Sequence, residues 1–312
     1  MQNFPRNALL GLLIGDALGV PAEFRSRSEL KAGPVSGLTG YGTHHQPPGT
    51  WSDDGALALC LAEALCAGFD LAAIARRFTD WLYRGHWTPH GEVFDVGIGT
   101  RQAIARLEAG VQPDLAGGTG EWSNGNGSLM RILPLLFYLR DKPEPERFEL
   151  TRQVSALTHA HVRSVLACFY YLEFARLVCT GLDKYAAYRE TNLLSQNRLA
   201  TTAAAQPETA EFARLVQGDL PALGENAIRA DGYVIHTLEA SLWCVLTSGS
   251  YREAVLKAVN LGEDTDTTGA VTGGLAGLVF GLDSVPAEWI RQIARIDEVE
   301  ALIRVFGRRY AG

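Results

Sequence analysis

Trp51-Ser52-Asp53-Asp54-Gly55-Ala56-Leu57-Ala58-Leu59-Cys60-Leu61-Ala62 is the stretch that decides how this chain folds. A hydroxyl and two carboxylates stand directly before an unbroken small and apolar run, which reads as a helix with a polar start. Far along the chain the arrangement returns: Asp264-Thr265-Asp266-Thr267 leads into Thr268-Gly269-Ala270-Val271. The likeness is one of placement, and no repeat of fixed period accompanies it. Each cluster lacks a nearby basic residue, so its carboxylates repel one another unless water or a cation neutralises them.

Outward from these two points the periodicity is helical. Ala56 to Leu65, Leu71 to Leu82, Ile98 to Leu107, Leu129 to Leu139, Val162 to Val178, Val234 to Leu246 and Ala254 to Val259 carry apolar residues at three- and four-residue intervals. Strand-like alternation is almost absent. Breaks rich in Gly, Pro and Asn fall at 33–49, 113–127 and 141–146, and the Ala- and Thr-rich stretch from Ser195 to Pro207 reads as a surface segment. The pattern predicts an all-α fold, a single compact many-helix domain over residues 1–312 with functional loops.

Thirty-five acidic residues against 28 basic ones give a formal charge of -7, which argues against a general nucleic-acid surface. No apolar run reaches the ~18 residues of a membrane span, and the first six residues lack the layout of a secretory signal. The expectation is a soluble cytoplasmic protein. Five cysteines, Cys60, Cys66, Cys168, Cys179 and Cys244, sit in apolar segments without zinc-type spacing and read as buried thiols.

Helix capping is the plain alternative for the acidic clusters. Capping needs one side chain, however, whereas here two carboxylates and a hydroxyl occur twice over. Such hard oxygen donors suit Mg²⁺ or Mn²⁺ better than Zn²⁺. Four Asp residues balance two divalent ions, and a binuclear centre is hydrolytic equipment. Between the clusters lies Gly117-Gly118-Thr119-Gly120-Glu121-Trp122-Ser123-Asn124-Gly125-Asn126-Gly127-Ser128, whose glycines would let backbone N–H groups approach phosphate oxygens. A helix start at Leu129 would favour the same anion, and Arg131 reads either as a phosphate partner or as the partner of a structural carboxylate.

Taken in order, the motifs resemble those of the ADP-ribosylglycohydrolase family over nearly the whole chain. The matching blocks are 15–24 (Gly-Asp-Ala-Leu-Gly-Val-Pro-Ala-Glu-Phe), 50–54 (Thr-Trp-Ser-Asp-Asp), 94–97 (Phe-Asp-Val-Gly), 126–131 (Asn-Gly-Ser-Leu-Met-Arg), Thr158-His159, 232–240 and 264–270. The resemblance implies an all-α fold, two Mg²⁺ or Mn²⁺ ions, and cleavage of the glycosidic bond of an ADP-ribosylated protein or small molecule by water. It implies Ser52, Asp53, Asp54, Asp264, Asp266 and Thr267 as metal ligands, with Asp266 also counted in the catalytic centre. Asp95 matches an acid beside the distal ribose, and Glu23 an acid that gates the metal site or helps activate water.

The same resemblance makes Ser123, Asn124, Gly125, Asn126, Gly127 and Ser128 the diphosphate loop, with Gly97, Gly99 and Thr100 beside the substrate. It sets His159 near the ribose and Tyr233 against the adenine, while His161 and His236 read as structural. Two departures stand out: Gly55 replaces a Thr usual after the first cluster, and Glu263 replaces the second Gly of a Gly-Gly-Asp run. Glu263 either faces solvent or narrows the site. Rival readings are a non-catalytic ADP-ribose-binding or crystallin-like structural protein, which Gly55 favours, and a metal phosphohydrolase that cleaves the diphosphate.

Overall fold

The computed structural model describes residues 3–310. Among them the helices run in the order α1 (Phe4–Gly19), α2 (Arg27–Ala32), α3 (Asp53–Cys66), α4 (Leu71–Arg84), α5 (Ile98–Glu108), α6 (Leu135–Leu139), α7 (Glu144–Ala156) and α8 (Val162–Cys179). The second half adds α9 (Lys184–Thr201), α10 (Thr209–Val216), α11 (Val234–Leu246), α12 (Tyr251–Val259), α13 (Thr265–Phe280), α14 (Ala287–Gln292) and α15 (Ile296–Tyr310). Extended pairing among the described residues is confined to isolated bridges, two of which, Gly118 with His159 and Gly125 with Tyr233, fasten the Gly-rich loop. Buried apolar side chains from Ala8 to Phe306 join in one core.

At the centre of the core α1 and α13 lie antiparallel and almost in backbone contact. A Cβ placed on Gly15 would stand 2.0 Å from the Gly269 carbonyl oxygen, and one on Gly273 would stand 2.2 Å from that of Gly11. Only glycine allows this approach. Both helices are buried on nearly every face, as apolar helices without a polar stripe must be. Their carboxylates, Asp16 on α1 and Asp266 on α13, consequently reach the interior close together.

Three segments depart from the sequence reading. Leu129 to Leu139 is helical only over α6, because Pro134 supplies no N–H and the chain arrives through a 3-10 turn at Asn126–Ser128. The break at 141–146 ends inside α7, which starts at Glu144 with a proline in its first turn. Ser195 to Pro207 is no surface segment at its start, since α9 continues to Thr201 and buries Ser195 and Leu199.

Candidate active site

Ser52 caps α3: its Oγ accepts from the Asp54 N–H at 3.3 Å. The cap is therefore filled without either carboxylate. Asp264 stands at the corresponding position of α13, and its side chain makes no capping bond. The carboxylates of both clusters turn instead toward one another. Carboxylate oxygens of Asp16, Asp54 and Asp266 lie within 4.8 Å of one another, as do those of Glu23, Asp264 and Asp266. Thr267 Oγ1 donates to Asp54 Oδ2 at 3.3 Å, which joins the two clusters directly.

The surroundings give this charge little relief. Asp16, Asp53, Asp54 and Asp266 are buried, and none of the ion pairs among the described residues includes them, Asp95 or Asp264. Asp54 Oδ1 and Asp266 Oδ2 are shut from solvent without a hydrogen-bond partner. Burial, reinforced by the charges of Asp95 and Asp16, holds the Asp53 carboxyl well above the usual carboxylate range. Burial with Asp16 and Asp53 does the same to Asp54, and burial with Glu23 and Asp54 to Asp266. Asp264 is raised by burial against the lowering effect of the Asn126 amide, which donates to its Oδ2 at 2.8 Å. Orphaned carboxylate oxygens in a hard-donor cluster are what a bound divalent cation would satisfy.

Two of these groups escaped the sequence reading. Asp16 accepts from the Ser52 N–H at 2.9 Å and the Gly55 N–H at 2.8 Å, and burial lifts its carboxyl to about 7. Its signal was a single carboxylate inside an apolar helix. His44 Nε2 bonds Glu23 Oε2, with Phe94 and Phe24 against its ring. A Gly- and Pro-rich loop conceals such a residue.

The cluster opens into a cavity of about 590 Å³. Glu23, Asp53, Asp95, Gly97, Gly99, Thr100, Ser123, Gly125, Asn126, Gly127, His159, Asp264 and Thr267 line it. Burial, relieved in part by His44, brings the Glu23 carboxyl to about 7. Three residues around the opening, Phe24, Asp95 and Glu263, adopt φ of 64°, 50° and 64°. Reciprocal backbone bonds, Phe24 N–H to Glu263 at 2.7 Å and Glu263 N–H to Arg25 at 2.8 Å, hold two of these left-handed residues in place. They set Glu23 beside Asp264, while the Glu263 side chain is exposed and faces solvent.

Ser52, Asp54 and Asp266 lie deeper than the lining, in the carboxylate cluster. Asn124, Ser128 and Tyr233 turn elsewhere. Asn124 donates to the Glu121 carbonyl and accepts from Ser164, Ser128 pairs with Ser155 at 3.0 Å, and the Tyr233 hydroxyl donates to Glu211 at 2.8 Å. Arg131 is outside the cavity lining, and among the described residues it pairs with no carboxylate. It is fully buried over the Phe78 ring and donates to Val154 O and Thr158 Oγ1. The Gly-rich loop also lacks the α-helix start expected at Leu129, so no α-helix N-terminus adds to its backbone N–H groups.

Comparison with known proteins agrees with this architecture. A profile of the ADP-ribosylglycohydrolase family matches residues 5–312. ADP-ribosylarginine hydrolase Tri1 of Pseudomonas putida (strain GB-1) is 31% identical over 301 residues, covering 95% of this chain and 76% of the relative. The ADP-ribosyl-(dinitrogen reductase) glycohydrolase of Rhodospirillum rubrum is 29% identical, with 96% of this chain and 95% of that protein covered. A solved structure described as an ADP-ribosylglycohydrolase-related protein complex superposes with a TM-score of 0.82 at 32% identity, over 99% of this chain and 98% of the other. Carboxylates gathered from both ends of the sequence, a glycine-lined cavity above them and a match from residue 5 to residue 312 agree: this chain belongs to the ADP-ribosylglycohydrolase family, and it is a hydrolase acting on the glycosidic bond of an ADP-ribosylated substrate.

Proposed function

We propose that the cavity takes an ADP-ribosyl group attached to arginine and releases it with water. The observation that carries this reading is the cluster of buried carboxylates at the cavity floor, none paired to an Arg or Lys among the described residues. Ser52, Asp53, Asp54, Asp264, Asp266 and Thr267 would hold two divalent cations, Mg²⁺ or Mn²⁺ by their oxygen donors. Bound there, the cations would supply positive charge and Lewis acidity beside the distal ribose.

The remaining roles belong to side chains. Gly125, Asn126 and Gly127 offer backbone to the diphosphate, with Ser123 at the edge and Gly97, Gly99 and Thr100 opposite. Glu23, with a carboxyl near neutrality, is suited to pass a proton at the scissile bond, and Asp95 to orient the sugar or exchange protons. Glu23 and Asp95, the lining carboxyls not assigned to the cations, favour a cationic guanidinium as the group that leaves. The single core supports one domain over residues 1–312, and five free cysteines suit the reducing cytoplasm.

Asp266→Ala should abolish both cation binding by calorimetry and hydrolysis, whereas Asp95→Asn should lose turnover and keep the cations. Metal-depleted Asp266→Ala protein that still turns over would refute the mechanism. ADP-ribosylated arginine, ADP-ribosylated serine and O-acetyl-ADP-ribose, each assayed with Mg²⁺ and Mn²⁺, test the leaving group. Free ADP-ribose from the arginine substrate is expected, and AMP would point to the diphosphate instead.

A further inference from the structure

His159 lines the cavity, yet its function depends on which ring nitrogen carries the proton. The ring is buried, and Nδ1 lies 2.9 Å from Thr158 Oγ1. That hydroxyl also accepts from Arg131 Nη2 at 2.7 Å. A guanidinium can only donate, so one lone pair of Thr158 Oγ1 is taken. The hydroxyl has a single proton, and His159 Nδ1 is the one acceptor among its described contacts. Satisfying every group therefore requires Thr158 to donate to Nδ1, which leaves the imidazole proton on Nε2.

The far side of the ring fits that assignment. Nε2 looks toward three glycines of the cavity wall: Cβ atoms placed on Gly99, Gly125 and Gly127 would lie 3.5, 3.6 and 3.4 Å from it. At Gly127 a Cβ would also stand 2.7 Å from Cε1 and crowd the ring, while at Gly99 and Gly125 glycine leaves the space beside Nε2 open to a ligand. The backbone of His159 is fixed as well, its N–H donating to Ser155 O at 2.8 Å and its carbonyl accepting from Ser155 Oγ at 2.8 Å. Burial and the nearby Arg131 charge hold the imidazole neutral, with its pKa lowered to about 3.

We propose that Arg131 and Thr158 are positioning residues that lock His159 in the Nε2–H tautomer, making it a fixed hydrogen-bond donor to an oxygen of the bound ADP-ribosyl group. Arg131, too deep to meet the substrate itself, acts on it through two intervening side chains. The role in binding rests on the ADP-ribosyl reading of the cavity; the tautomer does not.

The test uses full-length protein labelled with ¹⁵N at histidine. In the wild type, His159 should show a protonated, pyrrole-like Nε2 and an unprotonated, pyridine-like Nδ1 across neutral pH. Thr158→Val keeps the side-chain shape and removes the hydroxyl; it should release the tautomer toward Nδ1–H and weaken ADP-ribose binding by calorimetry about tenfold, with Thr158→Ser restoring both. A His159 already protonated at Nδ1 in the wild type, or a Thr158→Val spectrum unchanged at this residue, would overturn the proposal. A shifted tautomer with undiminished binding would overturn the donor role. Failure of ADP-ribose to bind the wild type at all would count against the cavity reading and leave the tautomer result standing.

Discussion

Gly55 stands where the family resemblance implies a threonine, and the structure gives the departure a packing cause. A Cβ at this position would stand 2.6 Å from Leu13 Cδ2, 2.8 Å from Trp51 Cβ and 2.9 Å from Asp16 Oδ2. Threonine would have to displace two core side chains and a carboxylate that the Gly55 N–H itself holds. Gly55→Thr is expected to cost about 1–3 kcal/mol by overpacking, measurable by urea denaturation. A variant as stable as the wild type would mean that the site relaxes freely. The absent hydroxyl thus reflects space filled from α1, and it no longer speaks for a non-catalytic protein. Ser52, Asp53, Asp54, Asp264, Asp266 and Thr267 were legible because the chemistry of each cluster is crowded into four residues. Asp16 and His44 were not, since each has its partners on another part of the chain.

Among the elements, α1 and α13 decide whether the site exists, because they bring Asp16 and Asp266 together across a glycine-to-glycine contact. A Cβ on Gly269 would lie 2.3 Å from the Gly15 carbonyl oxygen, a rigid backbone atom that cannot swing aside. Gly269→Ala should therefore force the helices apart, lower the melting temperature by several degrees and weaken Mn²⁺ binding in the same preparation. Gly307 supplies the control, for it lies within α15 with nothing within 4 Å of its Cβ position. There alanine should be neutral or stabilising by up to about 1 kcal/mol. Equal losses at both positions would show that the close approach is not what holds the carboxylates. The sequence made α4 plain through its periodic apolar face, but α1 was missed: a helix buried all round has no polar stripe to betray it. At Leu129 to Leu139 the apolar spacing continued through a turn that Pro134 and the Gly-rich loop had already broken.

At the scale of the whole molecule, six acids share one interior, and their protonation must be felt in global stability. The folded pKa of Asp16 is about 7 against an ordinary 3.8, and that of Glu23 about 7 against 4.5, while Asp53, Asp54, Asp264 and Asp266 are displaced in the same direction. A raised carboxyl means that the folded state binds more protons than the unfolded one. Its contribution is complete below the unfolded pKa and is lost as pH climbs through the folded one. His159 opposes this, since its depressed pKa adds stability as pH rises from about 3 to 6.5. It is one group against six. Acids with lowered pKa values, such as Glu63 and Asp231, lose their contribution only as pH falls below their ordinary values of 4.5 and 3.8. Between pH 5 and 7.5, metal-free protein in chelator should therefore melt at progressively lower temperature. Cations that bind only the folded cluster would restore about 2.7 kcal/mol at a hundredfold excess over Kd, and more at pH 7.5 than at pH 5, because protons compete for the same oxygens. Scanning calorimetry with and without Mn²⁺ at the two pH values measures both slopes. A chelated protein that grows steadily more stable toward pH 7.5, with no response to Mn²⁺, would show that the buried carboxylates are neutralised by something other than this metal.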